Sequence, residues 1–176
     1  MKAVFLDRDG VINVCRVIDG KPYPPTGPDT FEFTEHAKEA CQRLMSAGFL
    51  LFVATNQPDI GRGKQTLEAV KSMHDLVRAE LPVEKIYVCT HGSDNECTCR
   101  KPQPGMLLMA AEEYGIDLGA SYMVGDRWRD IDCGATAGCT TIFIDYGYDE
   151  KLRAQPDAVV SHIGEAADWI LSRSSV

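Results

Sequence analysis

Residues 2–13 read KAVFLDRDGVIN, a short apolar run that ends in two aspartates and a glycine. Side chains alternate along an extended chain, so Asp7 and Asp9 leave the same side of a strand that ends here. Two carboxylates held this close repel each other, and both stay ionised at neutral pH only where a cation or strong donors offset the repulsion. The stretch therefore predicts a metal site, or a chemistry that uses paired carboxylates, at the tip of a buried strand.

The same kind of apolar run recurs along the chain and alternates with helical patterns. Apolar residues at helical spacing predict helices within 34–48, 66–81, 104–115 and 130–139. The runs between them are continuously apolar, which is typical of strands covered on both faces. This alternation predicts an α/β fold with a mostly parallel sheet and helices on both sides. The predicted strands are AVFLD (3–7), FLLFVAT (49–55), KIYVCT (85–90), SYMVGD (121–126) and TTIFID (140–145).

Composition limits the classes of protein to which the chain can belong. Its 176 residues, 44% of them apolar, suffice for one domain with a substantial core, and we expect a single domain over 1–176. The net charge of −8 disfavours nucleic acid as a partner, because phosphate contacts need a basic face. No apolar run reaches the length of a membrane span, and no signal-peptide pattern precedes the first strand. We therefore expect a cytoplasmic monomer that contacts neither membrane nor nucleic acid.

Polar signatures follow the ends of the predicted strands. DRDG (7–10) follows the first strand, ATNQ (54–57) closes the second, CRKP (99–102) lies in a later loop and GDRWRD (125–130) closes the fourth. Each signature alone is more typical of a cap or a turn than of a site. Parallel strands bring their carboxyl ends to one edge of the sheet, where such folds bind ligands. Together the four signatures predict a functional site at that edge.

In this order the four signatures resemble the motifs of the haloacid dehalogenase superfamily, and the resemblance spans roughly residues 2–145. It implies a Rossmann-like three-layer sandwich and Mg²⁺-dependent phosphoryl transfer through an aspartyl-phosphate. Asp7 would be the nucleophile and Asp9 the general acid and base. Thr55 would hold the transferring phosphoryl group and Lys101 would stabilise its charge. The resemblance assigns the magnesium to Asp7, Asp9 and Asp126; the role of Asp130, as a metal ligand through water or as a charge at a helix start, stays open.

A second metal is predicted by the segment CTHGSDNECTC (89–99), which places its ligand types at C-x-H-x5-C-x-C spacing. Three thiolates and one imidazole form a closed tetrahedral set, which is typical of a structural zinc. A reduced cluster without metal, or a disulfide, is the alternative. A zinc here would brace the loop that carries Arg100 and Lys101. The predicted ligands are Cys89, His91, Cys97 and Cys99.

A zinc loop that runs into CRKP resembles a subfamily of small phosphatases, those of heptose 1,7-bisphosphate and of histidinol phosphate. The resemblance implies that Arg100 and Arg127 recognise the distal part of the substrate. The stretch VCRVIDG (14–20) replaces the Asp-x-Gly-Tyr-like sequence usual in the heptose enzymes, and the zinc loop is short as in the histidinol group. Both differences leave the substrate open: a heptose bisphosphate that loses its terminal phosphate is the leading candidate, and histidinol phosphate is the alternative.

No segment is long enough for a cap domain, and the Pro- and Gly-rich residues 13–33 predict an ordered loop over the sheet edge. A site without a cap is open, so its specificity for a small phosphorylated metabolite must come from loops. A non-catalytic module that binds a phosphorylated ligand is the alternative from another class, and the roles of Arg62 and Lys64 stay open. The predicted substrate-binding residues are Cys15, Arg16, Val17, Ile18, Asn56, Gln57, Arg100 and Arg127.

Overall fold

The computed structural model describes residues 1–92 and 96–174. Its centre is a six-stranded sheet with the strand order β5-β4-β1-β6-β7-β8, in which every neighbouring pair is parallel. A separate antiparallel hairpin consists of β2 and β3. The strands are β1 (Ala3–Leu6), β2 (Arg16–Ile18), β3 (Lys21–Tyr23), β4 (Leu50–Asn56), β5 (Lys85–Cys89), β6 (Tyr122–Gly125), β7 (Thr140–Ile144) and β8 (Ala158–Val160).

Helices lie in the connections between successive strands of the parallel sheet, except between β7 and β8. Two of them end where the sequence predicts, at Gly115 and Gly138, which adopt left-handed φ angles of 64° and 86° that favour glycine. Short 3₁₀ turns lie at Pro28–Thr30 and Leu118–Ala120. The helices are α1 (Ala37–Ser46), α2 (Pro58–Gly61), α3 (Leu67–Glu80), α4 (Gly105–Tyr114), α5 (Trp128–Ala137) and α6 (Ile163–Ser174).

The sheet separates two apolar cores, and alternation along the central strand supplies both. In β1, Val4 and Leu6 belong to the core that includes residues of α1 and α6. Ala3 and Phe5 point the other way, into the core that includes residues of α4 and α5. Because both faces are covered, both sets of positions are apolar, which explains the continuous apolar runs in the sequence. The predicted three-layer fold is confirmed.

The segment 13–33 departs from the prediction of a plain loop, because it contains the hairpin β2–β3. Its two-residue turn is Asp19–Gly20, with φ angles of 50° and 72°. Positive φ at both positions is the type I′ geometry that Asp-Gly favours in hairpins. The dipeptide was therefore a readable hairpin signal. β8 and α6 are two further elements that the sequence did not predict. β8 is a three-residue edge strand, and α6 extends to Ser174, into a polar C-terminal tail for which no helix was expected.

The topology brings the motifs together. β1 is central, with β4 on one side and β6 on the other, so Asp7, Thr55 and Asp126 lie at the same edge of the sheet. No separate cap domain covers this edge within residues 1–92 and 96–174; the hairpin lies over it instead. Among the same residues, no helix combines the length and the apolar composition needed to cross a bilayer.

Candidate active site

Three buried carboxylates meet at the ends of β1 and β6. Asp7, Asp126 and Asp130 each place an oxygen within 4.8 Å of the others. The close approach depends on Gly10, because a Cβ there would lie 1.9 Å from Asp126 Oδ2, and because its φ of +86° is left-handed. Gly125 serves similarly, since a Cβ there would lie 2.1 Å from the Cβ of Asp130. The glycines of DRDG and GDRWRD thus make room for the carboxylates of the same motifs.

Lys101 supplies the positive charge of the cluster. Its Nζ lies 2.9 Å from Asp7 Oδ1 and 2.7 Å from Asp130 Oδ1, and its side chain is 1% exposed. Burial alone would lower the pKa of Lys101, but the charges of Asp130 and Asp7 outweigh burial and raise it above the ordinary value. Asn56 fixes the backbone of Lys101, because its side-chain amide exchanges two hydrogen bonds of 3.0 Å with the Lys101 N–H and carbonyl.

One cation does not neutralise three carboxylates. Burial, together with the charge of Asp130, raises the pKa of Asp7 to about 7, although Lys101 opposes the rise. Burial and the charges of Asp7 and Asp130 also raise the pKa of Asp126 well above its ordinary range. The Tyr148 hydroxyl donates to Asp126 Oδ2 at 2.9 Å. A cluster of this kind is electrostatically incomplete until a further cation enters it.

Asp9 faces a different set of partners. Its Oδ1 accepts from the Arg8 guanidinium at 2.8 Å and from the Asn13 amide at 3.1 Å, and its Oδ2 accepts from Gln57 Nε2 at 2.8 Å. Arg8 is fully buried, and its Nη1 lies 3.2 Å from His74 Nε2. Burial lowers the pKa of His74 to about 4, so its neutral ring accepts this hydrogen bond. The network fixes the orientation of the Asp9 carboxyl beside Asp7.

Thr55 lies at the end of β4 and is fully buried. Its Oγ1 accepts from Gln57 Nε2 at 2.8 Å, and the same nitrogen donates to Asp9. Gln57 therefore joins the second motif to the first.

An open cleft of about 1100 Å³ lies over the carboxylates. Most of the predicted substrate-binding residues line it, and two do not. Val17 does not, because side chains alternate along β2 and its neighbours in the strand face the cleft instead. Arg100 does not either; its Nη1 donates to the carbonyl of His91 at 2.8 Å. The predicted residues that line the cleft are Cys15, Arg16, Ile18, Asn56, Gln57 and Arg127.

The predicted zinc ligands also converge. Cys89 Sγ lies 3.7 Å from Cys97 Sγ and 3.4 Å from His91 Nδ1, and Cys99 Sγ lies 3.4 Å from the same nitrogen. Zn–S bonds of about 2.3 Å in a tetrahedron separate two sulfurs by about 3.8 Å. All four cysteine and histidine ligand atoms lie within 4.8 Å of one another, so the set fits zinc. Residues 93–95 of this loop lie outside the described residues.

Comparison with known proteins agrees with this geometry. A family model described as HAD-hydrolase-like matches residues 98–166. The D-glycero-β-D-manno-heptose-1,7-bisphosphate 7-phosphatase of Yersinia pestis is 37% identical over 97% of this chain and 89% of its own length. The enzyme of the same name from Pseudomonas aeruginosa is 36% identical over 87% of this chain and 86% of its own. The chain belongs to this family of HAD-like hydrolases.

A solved structure of the HAD-like family extends the comparison to the fold. The D,D-heptose 1,7-bisphosphate phosphatase of B. bronchiseptica, crystallised with magnesium and phosphate, superposes with a TM-score of 0.81 at 31% identity. The match covers 98% of this chain and 99% of that one. The resemblance to haloacid dehalogenase phosphatases is thereby confirmed, and the enzyme class is that of a phosphoric monoester hydrolase.

The carboxylate cluster suits the magnesium of a HAD-like phosphatase. Mg²⁺ prefers carboxylate oxygens and keeps several waters. Asp126 Oδ1 is buried and has no hydrogen-bond partner among residues 1–92 and 96–174, as a metal-facing oxygen would be. The assignment of the Asp9 carboxylate to the metal stays a prediction; it lies outside the cluster, and donors engage both of its oxygens. Asp130 lies within the cluster, where its Oδ1 pairs with Lys101 and its Oδ2 accepts the Arg127 N–H at 3.0 Å.

Several polar residues of this HAD-like site were not predicted from the sequence. Arg129 lines the cleft, and the Tyr148 hydroxyl donates to Asp126. His74 accepts from Arg8, and Glu150 accepts from Arg127 Nε at 2.9 Å. His74 lies on the apolar face of a predicted helix, and such a histidine is usually structural. Tyr148 and Glu150 follow β7 in a segment with no motif. Arg129 lies within GDRWRD, the motif that follows β6, so its position in the sequence could have marked it as a candidate binding residue.

Proposed function

We propose that this protein is an Mg²⁺-dependent phosphatase that removes the terminal phosphate from D-glycero-D-manno-heptose 1,7-bisphosphate and leaves the heptose 1-phosphate. The observation that carries the proposal is the meeting of Asp7, Lys101, Asp126 and Asp130 at the carboxyl ends of β1 and β6. The substrate is proposed because the relatives that match nearly the whole chain are named for it.

The first half-reaction begins at Asp7. Its Oδ1 already accepts from the Arg8 N–H at 2.8 Å and pairs with Lys101, and no described residue hydrogen-bonds its Oδ2. Oδ2 is thus the oxygen that attacks phosphorus, and the bond from phosphorus to the sugar oxygen breaks as the aspartyl-phosphate forms. The Asp9 carboxyl gives its proton to the leaving alkoxide.

The second half-reaction returns Asp7 to its starting state. The Asp9 carboxylate takes a proton from a water molecule, whose oxygen attacks phosphorus, and the bond to Asp7 breaks to release inorganic phosphate. Lys101 and Thr55 bind oxygens of the transferring group. When bound at Asp7, Asp126 and Asp130, Mg²⁺ supplies positive charge that offsets the repulsion between nucleophile and phosphate.

Histidinol phosphate is the competing substrate. Its cationic amine requires acidic groups at the entrance of the site, for which the sequence offers Asp19 and Asp59. Asp19 does not line the cleft, whereas Glu32 does. Asp59 lines the cleft, but its Oδ1 already accepts from Arg62 at 3.3 Å. The deciding experiment measures kcat/KM for heptose 1,7-bisphosphate, fructose 1,6-bisphosphate and histidinol phosphate side by side. The heptose should be preferred by at least tenfold, and a preference for histidinol phosphate would overturn the assignment.

We also propose a structural zinc at the Cys/His cluster, a single catalytic domain, a monomeric state and a cytoplasmic location. The cysteines among the described residues are free thiols, which suits a reducing compartment. Light scattering on the purified protein tests the monomeric state.

A further inference from the structure

Arg129 is the second residue of α5 and lines the same cleft as Asp7. Its Nε is buried and has no hydrogen-bond partner among residues 1–92 and 96–174. Within that part of the chain, its guanidinium forms no ion pair, and its nearest ring is Trp128, 5.5 Å from the guanidinium carbon to the ring centroid. A buried N–H without an acceptor costs free energy, so such a group calls for a specific explanation.

Arg127 and Arg100, the two arginines expected to recognise the distal part of the substrate, each already have a partner in the protein. Arg127 also lines the cleft, but it donates its Nε to Glu150 at 2.9 Å. Glu150 is itself fixed, because its other oxygen accepts the backbone N–H of Trp128 at 2.9 Å. Arg100 is bound to the His91 carbonyl and lies outside the cleft lining. Arg129 differs from both, because it lines the cleft and no hydrogen bond or ion pair engages its guanidinium within residues 1–92 and 96–174.

The charges around Arg129 favour an anion beside it. Arg127 is paired with Glu150 at 2.9 Å, and the adjacent acid in the sequence, Asp130, is paired with Lys101 at 2.7 Å. The charge of Arg129 therefore has no partner within residues 1–92 and 96–174, and a guanidinium fork suits the oxygens of a phosphate.

We propose that Arg129 binds a second phosphate of the substrate, one that is not transferred, and so sets the preference for a bisphosphate over a monophosphate. The proposal rests on the proposed function and adds Arg129 to the residues expected to recognise the distal part of the substrate. Since Asp7 and Arg129 line one cleft, a single sugar can present one phosphate to each.

The test compares two substrates that differ only in this phosphate, heptose 1,7-bisphosphate and heptose 7-phosphate. The ratio of their kcat/KM values is measured for the wild type, for Arg129→Gln and for Arg153→Gln. Arg153 is the matched control, because it stacks on the same Trp128 at 3.5 Å but does not line the cleft. Loss of one charge-assisted contact should reduce the ratio about ten- to hundredfold in Arg129→Gln. Arg153→Gln should keep the wild-type ratio.

The outcomes separate this inference from the function on which it rests. A wild type that hydrolyses the bisphosphate, together with an unchanged ratio in Arg129→Gln, overturns the role of Arg129 and leaves the phosphatase standing. An equal fall in both variants overturns it too, because the effect would then come through Trp128. A wild type that hydrolyses neither sugar overturns the proposed function itself, and this inference with it.

Discussion

At the scale of single residues, two neighbouring aspartates of one motif receive opposite environments. Asp7 is buried among other carboxylates, which raises its pKa to about 7. Asp9 is held by Arg8, Asn13 and Gln57, three donors that fix both of its oxygens. These environments suit the proposed roles, that of Asp7 as a nucleophile that needs a cation and that of Asp9 as a positioned acid and base.

Asp9→Asn tests the role of Asp9 as the general acid and base. The amide keeps the size of the side chain but can neither give nor take the proton, so kcat should fall by roughly 10²–10⁴-fold. Stopped-flow measurement of phosphate release with heptose 1,7-bisphosphate provides the rate. The control Asn13→Ala keeps the Asp9 carboxyl and removes only one of its hydrogen-bond donors, so it should lose less. Normal turnover in Asp9→Asn would exclude Asp9 as the acid.

Magnesium affinity should depend on pH through Asp7. The carboxyl binds a proton below about pH 7 in the metal-free protein, and Mg²⁺ binds the ionised form. Affinity should therefore weaken as the pH falls from 8 to 6, and binding should release protons near pH 7. Calorimetry in two buffers of different ionisation enthalpy measures both quantities. Asp7→Asn should release fewer protons; equal release from that variant would contradict the assignment to Asp7.

At the scale of elements, the zinc loop and the β2–β3 hairpin flank the catalytic edge of the sheet. The loop packs against the start of α4 so closely that a Cβ at Gly105 would lie 2.2 Å from the Thr98 carbonyl oxygen. Lys101 lies between the loop and α4. We therefore expect zinc at the Cys/His cluster to influence catalysis through the placement of Lys101.

Cys97→Ser should abolish stoichiometric zinc and lower the melting temperature. Serine is a poor zinc ligand, and removal of one ligand opens the tetrahedral set. Elemental analysis of protein purified without added metal, with a thermal scan, provides both readouts. Cys139→Ser is the control, since that buried cysteine lies outside the cluster. Full zinc content in Cys97→Ser would refute the site.

The hairpin should affect binding of the substrate more than the chemical step. Gly20→Ala forces a side chain onto a φ of +72° and should cost about 1 kcal/mol of unfolding free energy. Gly48→Ala carries a similar backbone cost at φ +86° but lies in the α1–β4 turn with no neighbour within 4 Å. Both variants should lose similar stability in urea, but only Gly20→Ala should raise KM. An unchanged KM would show that the hairpin does not contact the substrate.

At the scale of the whole molecule, the sequence predicted the layered sheet because its central strands are buried on both faces and read as unbroken apolar runs. It also predicted that Asp7, Thr55 and Asp126 would lie at one edge of the sheet, since parallel strands carry their motifs to that edge. It failed at contacts that depend on side-chain direction. The spacing of Arg127 and Arg129 does not reveal that Glu150, more than twenty residues away, accepts a hydrogen bond from Arg127. Nor does it reveal that the Nε of Arg129 has no partner among residues 1–92 and 96–174.

Asp7 is proposed to form a covalent bond to phosphorus during turnover, and rapid-quench mass spectrometry detects such a bond directly. The protein is mixed with Mg²⁺ and heptose 1,7-bisphosphate, quenched in acid within the first turnover and digested. One added phosphoryl group should appear on the peptide that contains Asp7, and Asp7→Asn should show neither this group nor turnover. Turnover by Asp7→Asn at an appreciable rate, or a wild type that turns over with no phosphorylated peptide, would contradict it.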